Sequence, residues 1–310
     1  MIHDKNKDFL YLADTLPLKH PKFYNEFRKF LEENKIIFKL LPGTKDIWCR
    51  DYMPVQNGLG ELIRFKYQPD YLKAKKYSST ISDVGKICRS IKVKTVRNEL
   101  IVDGGNIIHC GSNVIMCDKI LSANKKFTRA EINLRLRDAL RVNNILFIPT
   151  HPDDICGHAD GVIRFLDKRT VLINDFRKES PQYRKELLSS LRKYNLKWIE
   201  VPYNTTKNKT SFDATGIYIN FLQMKGIIFL PVYGLEEDIE VIKLFTKLFK
   251  GEKIIPVKCN SIAKEGGVLN CISWTIKSNY PKVLSEYEKE VERDLLNLGL
   301  EFYPDLNQPS

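Results

Sequence analysis

Four stretches of the 310-residue chain carry side chains that can do chemistry together. Lys264-Glu265-Gly266-Gly267-Val268-Leu269-Asn270-Cys271 runs a glycine pair into a short apolar rise that ends on a cysteine. It proposes a nucleophile at a strand end, because Gly-Gly lets the backbone approach a ligand closely. Alone, this signal is weak, since most such cysteines are small buried hydrophobes. Asp46-Ile47-Trp48-Cys49-Arg50-Asp51, Val102-Asp103-Gly104-Gly105-Asn106 and Gly157-His158-Ala159-Asp160 change that reading. Each sets carboxylates or a histidine beside glycine or an aromatic ring at the end of an apolar run.

A thiolate nucleophile needs a positive neighbour to favour its charged form and a group to move protons. His158 suits the second task, since its ordinary pKa lies near neutrality. A cysteine hydrolase of amides gains nothing from nearby aspartates, whose charge disfavours the thiolate. The surplus acid therefore points to a cationic substrate. A guanidinium fits best, because its planar fork offers donors in pairs that carboxylates bind bidentately. Asp51 and Asp160 are placed to clamp it, and its charge helps to form the thiolate. The inferred reaction is attack of Cys271 on the guanidinium carbon and departure of ammonia with a proton from His158. Water activated by His158 then hydrolyses the thiouronium to leave a ureido group. Trp48 reads either as a ring stacked on the cation or as a buried aromatic. Asp103 reads either as a support behind the site or as a turn carboxylate.

Other residues of the same types read more plainly. Cys110 follows His109 and echoes the pattern around Cys271 but sits at a hairpin turn, Cys49 and Cys156 read as packing residues, and His151 as a loop histidine. An ion pair with Arg50 is the alternative for Asp51. The seven cysteines form no CxxC pair and no Cys/His zinc spacing, so no metal is expected, and their odd number suits a reducing compartment. The net charge of +12 is spread over helix-like stretches such as Arg135, Arg137 and Arg141, without the clustering that a nucleic-acid footprint needs. A nucleic-acid-binding protein is therefore the remote reading. The first ten residues are too charged for a signal peptide, and the most apolar later stretch, Gly216 to Pro231, is interrupted by Asn220, Gln223 and Lys225. The expectation is a cytoplasmic protein without membrane contact.

The elements that must hold these residues alternate between strands and helices. Strands are predicted over Phe9–Asp14, Ile36–Leu41, around a hairpin at Asn57-Gly58, and over Val102–Cys110, Val114–Cys117, Ile145–Pro149, Val162–Leu166, Val171–Asn174, Trp198–Val201, Gly216–Phe221, Ile227–Val232, Ile254–Val257 and Gly266–Cys271. Helices are predicted from Pro21, over Ser79–Ile91, from a capping box at Thr128 and Glu131, from Ser180-Pro181, over 236–250 and over 281–298. The unit of strand pair, helix and strand recurs about five times. Asp103-Gly104-Gly105 through Cys110 echoes Glu265-Gly266-Gly267 through Cys271, as expected if one unit was reused. With no linker in sight, a single α/β domain over 1–310 is expected, its tail frayed from about 304.

In these residues the chain resembles the agmatine deiminase and bacterial-type peptidyl-arginine deiminase family of the guanidine-modifying enzyme superfamily. The likeness is carried by Trp48-x-Arg50-Asp51-x-x-Pro54, Asp103-Gly104-Gly105, Gly157-His158-x-Asp160 with Arg164-Phe165, Tyr218-x-Asn220-Phe221 with Pro231-x-Tyr233-Gly234, and Gly266-Gly267-x-x-x-Cys271. The resemblance implies a five-bladed α/β propeller of pseudo-five-fold repeats, with Cys271 as nucleophile, His158 as general acid and base, and Asp51 and Asp160 on the guanidinium. It implies no cofactor. Two positions depart from the family pattern: Asp103 stands where Glu is usual, and Asn270 where His usually precedes the cysteine. The expected partner is a small guanidine compound, agmatine or a related alkyl guanidine, with free or peptidyl arginine, or amidino transfer to an amine, as alternatives. Homo-oligomerisation is left open.

Overall fold

The same connection is made in each of five three-stranded sheets. A middle strand pairs antiparallel with one neighbour, which precedes it directly in four of the sheets, and a helix carries the chain from it to a parallel third strand. The computed structural model describes residues 1–278 except 179, 206, 207, 209 and 211, and Met1–Ser278 forms one compact unit. The expected helix over 281–298 and the tail lie outside the described residues.

The first sheet holds β1 (Phe9–Ala13) and β2 (Ile37–Leu41). The following sheets take β3 (Val55–Gln56), β4 (Leu62–Lys66) and β5 (Val96–Ile101), then β6 (Ile108–Cys110), β7 (Asn113–Cys117) and β8 (Asn144–Ile148). Next come β9 (Ile163–Phe165), β10 (Thr170–Asn174) and β11 (Lys197–Val201), then β12 (Leu222–Met224), β13 (Ile227–Val232) and β14 (Lys253–Lys258). Finally β15 (Ser273–Ile276) returns to pair with β1, so the end of the described chain completes the sheet that its start began.

The central strands are apolar runs, as a parallel pairing covered by a helix demands. Leu10 and Leu12 of β1, Val171 to Ile173 of β10 and Ile228 to Leu230 of β13 are all fully buried. The crossover helices bury one stripe each. Pro21–Glu33 opens with proline in its first turn and turns Phe23, Phe27 and Leu31 inward, and Phe27 meets Phe229 edge-on at 5.5 Å. The capping box of Arg129–Leu140 has both its bonds, from Glu131 N–H to Thr128 Oγ1 and from Thr128 N–H to Glu131 Oε2.

Local structure departs from expectation where glycines or site residues intervene. Val102–Cys110 is not one strand: Gly104–Asn106 is a single tight helical turn and only Ile108–Cys110 pairs. The strand before it, Val96–Ile101, is too charged to read as one, with Arg97, Asn98 and Glu99 in its middle. Gly216–Phe221 and Gly266–Cys271 are irregular rather than strands, apart from an isolated bridge between Ile217 and Tyr203, and the pairing residues are Leu222–Met224 and Ser273–Ile276. In both cases backbone groups that a strand would give to a neighbour are taken by side chains, as the site makes clear. The helix expected from Ser79 begins at Val84, capped by Asp83. In the helix Arg129–Leu140, Leu136 and Leu140 are buried but Leu134 is 66% exposed. No helix among the described residues is long and apolar enough to cross a membrane.

Candidate active site

The residues singled out from sequence occupy one position in the repeat, the tight turn just before the first strand of a sheet. Asp51 precedes β3, Gly105 precedes β6, His158 and Asp160 precede β9, Asn220 precedes β12 and Cys271 precedes β15. Hydrogen bonds link the five turns in a closed cycle. Arg50 N–H donates to Cys271 O at 3.1 Å, Gly105 N–H to Asp51 Oδ1 at 3.2 Å, and His158 Nε2 meets Asp103 Oδ2 at 3.0 Å. Asn220 Nδ2 donates to Asp160 O at 3.3 Å, and Cys271 N–H to Asn220 Oδ1 at 3.3 Å. Two glycines are needed for this. A methyl group on Gly105 would lie 2.6 Å from Asp51 Oδ1 and 2.9 Å from His158 Nδ1. Gly157 has φ +65 and packs where a side chain would strike Lys119.

Cys271 is 7% exposed. Its Sγ lies 3.2 Å from Asn220 Nδ2 and 3.5 Å from Asp160 Oδ2. Burial, reinforced by the charges of Asp160 and Asp51, pushes the thiol well above its ordinary pKa. Asn270 Nδ2 donates to the same Asp160 Oδ2 at 2.6 Å, so the residue before the cysteine fixes the carboxylate beside it.

His158 is held between two acids, with Nε2 on Asp103 and Nδ1 3.5 Å from Asp51 Oδ1. Burial opposes its charge, but Asp51, Asp103 and Asp160 outweigh burial and raise the imidazole to about 10. Burial also raises the Asp51 carboxyl, to about 8, with His158 opposing and Asp160, Asp103 and Asp46 adding to it. Asp103 is placed behind the histidine and also accepts from Tyr71 Oη at 2.9 Å.

Cys271, Asn220, His158, Asp51 and Asp160 face a cavity of about 690 Å³. Asp46, Asp51, Asp153, Asp154, Asp160, Asp213 and Glu265 line it against Lys19, and no arginine lines it among the described residues. A chain of net charge +12 therefore carries a locally acidic pocket. Trp48 lines the pocket next to Gly267, where a methyl group would fall 2.8 Å from its ring and 3.0 Å from Cys271 Sγ.

The remaining expectations sort by position. Cys110 is buried on β6 near His3, away from the cavity, and Cys49 donates its thiol to Ile272 O at 2.9 Å. Cys156 and His151 line the cavity, although their letters suggested packing and a bland loop; His151 lies against Phe176 and Tyr183. Asp51 makes no ion pair with Arg50, whose Nε donates to Asn270 O at 3.3 Å. No group of His, Cys, Asp or Glu able to hold a metal ion occurs among the described residues. In the sequence, Asn220 shows only as part of a motif and as a polar break in an apolar stretch. The available signal for Asn220 was a costly amide inside an apolar run, which has to find partners if buried.

With this arrangement in view, the model of the Porphyromonas-type peptidyl-arginine deiminase family matches residues 17–276. The chain belongs to that family. It is an enzyme of the deiminase kind, a hydrolase acting on carbon–nitrogen bonds. Among curated relatives, a Selenomonas ruminantium protein provisionally named agmatine deiminase is 23% identical over 299 residues, covering 80% of this chain and 78% of its own. The agmatine deiminase of Ectopseudomonas mendocina is 21% identical over 281 residues, covering 74% of each. Among solved structures, the C. jejuni agmatine deiminase superposes with a TM-score of 0.75 at 20% identity, over 90% of this chain and 95% of that one. This likeness is one of fold, a mixed α/β architecture of five small sheets.

Proposed function

We propose that this chain is a cysteine-dependent deiminase that hydrolyses the guanidinium group of a small substrate, agmatine or a related alkyl guanidine, to a ureido product and ammonia. The observation that carries the reading is that Cys271, His158, Asp51 and Asp160 line one cavity, with Asp103 behind the histidine. The five sheets are read as blades of a propeller within a single domain, with the cycle of turns at its centre. Agmatine-class substrates are favoured because, among the described residues of the cavity, carboxylates outnumber the single lysine, Lys19, and no arginine stands with them. An amine or a neutral tail suits such walls. A free carboxylate does not, since it would meet like charge with little to pair it.

The chemistry follows from the charges. A guanidinium between Asp51 and Asp160 donates to their carboxylates in bidentate contacts and removes much of the repulsion that keeps Cys271 protonated. The thiolate adds to the guanidinium carbon. The imidazolium of His158 then gives a proton to one nitrogen, which leaves as ammonia, and a thiouronium remains on Cys271. Neutral His158 next takes a proton from water as its oxygen adds to the same carbon. Collapse breaks the carbon–sulfur bond and restores the thiolate, and the hydroxyl proton passes to solvent, where it makes the released ammonia ammonium and leaves the neutral ureido product. Atoms and charge balance with one water consumed and one ammonium released.

The test is ammonia and ureido formation from a panel of agmatine, free arginine, an arginine peptide and simple alkyl guanidines, with Cys271→Ala as control. Release from agmatine or an alkyl guanidine by the wild type and none by the variant is expected. Full release by Cys271→Ala, or none from any compound, would reject the reading. Turnover without ammonia when an amine acceptor is supplied would indicate amidino transfer instead.

A further inference from the structure

The sulfur of Cys271 sits where a thiolate is hard to form. Burial comes first among the causes, and Asp160 and Asp51 add like charge. The bound guanidinium relieves the repulsion, but the anion on sulfur also needs a donor in contact with it. Among the described residues, the side-chain N–H that reaches this sulfur is that of Asn220 Nδ2, at 3.2 Å, and the backbone of Val268 adds a second bond that favours the thiolate.

The orientation of that amide is dictated by its surroundings. Asn220 Oδ1 accepts from Asn270 N–H at 3.1 Å and from Cys271 N–H at 3.3 Å. Rotating the amide by half a turn would set its NH₂ against two backbone N–H groups, so the nitrogen has to face the sulfur. Its other hydrogen is taken by Asp160 O at 3.3 Å. Asn220 is 3% exposed and has every polar position engaged, so the donor end is held for the sulfur rather than left there by chance.

We propose that Asn220 is a catalytic residue, whose fixed side-chain N–H stabilises Cys271 as the thiolate that attacks the substrate. The proposal rests on the reading of Cys271 as nucleophile. With the thiol protonated, its hydrogen points at Asp160 Oδ2 and the amide makes a weak bond to neutral sulfur. As the guanidinium binds, the proton passes to water, so one cation enters the pocket and one leaves. The Asn220 bond then becomes charge-assisted and strengthens. Arg164 supports the arrangement. It donates Nη1–H to Phe221 O at 3.1 Å, directly after Asn220, lies 4.5 Å from the Phe221 ring centre, and is anchored by Asp4 at 3.0 Å. Arg164 is a positioning residue for Asn220, and its buried charge also acts on the sulfur.

The experiment measures alkylation of Cys271 by iodoacetamide against pH on the folded full-length protein, read at the Cys271 peptide. In Asn220→Ala the midpoint is expected to rise by about one to two units, or about 10- to 100-fold less thiolate at neutral pH, the scale of a hydrogen bond to a charged group. The limiting rate at high pH should stay near the wild-type value. Asn220→Asp, which sets a carboxylate against the sulfur, should raise the midpoint at least as far. An unshifted midpoint with a uniformly lower rate would mean that Asn220 only shapes the turn, and would overturn the proposal.

Should both variants fail to fold, the Asn220 side-chain amide resonances in ¹⁵N-asparagine-labelled wild type decide the matter. They are expected to titrate with the thiol and to lose that titration in Cys271→Ala, and resonances indifferent to the thiol would overturn the proposal. The alkylation assay needs no substrate. A wild type that releases no ammonia therefore removes the deiminase reading alone, and an unshifted midpoint removes the role of Asn220 alone.

Discussion

Three carboxylates and one imidazole share a buried space, and their charges set the pH at which the site can work. The Asp51 carboxyl, raised to about 8, holds a proton below that pH and cannot then grip a cation with full charge. His158, raised to about 10, keeps the proton it must donate until the pH passes that value. kcat/KM is therefore expected to fall as pH drops through about 8 and to fall again above about 10, a bell with an alkaline maximum. Initial rates across this range at low substrate concentration measure it. Asp51→Asn should lower kcat/KM by about 10²-fold or more, as for an unpaired buried charge, and should flatten the acid limb. A profile with no acid limb near pH 8 in the wild type would remove Asp51 from the gripping role.

At the scale of elements, the short turns before the first strands matter more than the helices. Each turn hands a backbone or side-chain group to another turn of the cycle, so a disturbance at one is felt at the reacting atoms. Gly105→Ala tests this coupling. Its added methyl group would press on Asp51 Oδ1 and His158 Nδ1 without meeting any backbone atom among its three nearest neighbours, so the fold should persist while both side chains shift. A fall in kcat/KM of about 10²-fold with little change in melting temperature is expected, since small misplacements of reacting groups cost that much. Gly104→Ala should behave differently. Its methyl group would lie 2.1 Å from Arg50 O, a backbone atom that cannot swing aside, so a clear loss of melting temperature is expected. Unchanged activity in the first variant would show that the turns are independent of one another.

The whole molecule sets a positive exterior against an acidic cavity. The field of a net charge of +12 spread over the surface opposes the approach of a cation at low salt, while the carboxylates of the pocket act only over a short range. Raising the ionic strength from about 0.01 M to about 0.15 M shortens the screening length from about 30 Å to about 8 Å and removes mainly the surface term. kcat/KM for a cationic guanidine is therefore expected to hold or rise over this range. A steep fall with salt, the mark of long-range attraction, would contradict the charge layout.

Much of this was legible in the letters because it depends on local periodicity. The unit of strand pair, helix and strand appears as apolar runs, proline starts and one capping box, and its five-fold recurrence is what the sheets display. Residue types alone also pointed to Cys271, His158, Asp51 and Asp160, since a thiol, an imidazole and surplus acid combine sensibly on a flat cation. Tertiary structure was needed wherever a residue is defined by what lies across the cycle of turns. Gly266–Cys271 looks like a strand by composition, yet it is a turn, because the N–H groups of Asn270 and Cys271 bond to Asn220 rather than to a neighbouring strand. For the same reason Asn220 carried little signal of its own. Its 51-residue separation from Cys271 is closed only when separate sheets meet, and contacts of that kind leave no spacing to read in one sequence.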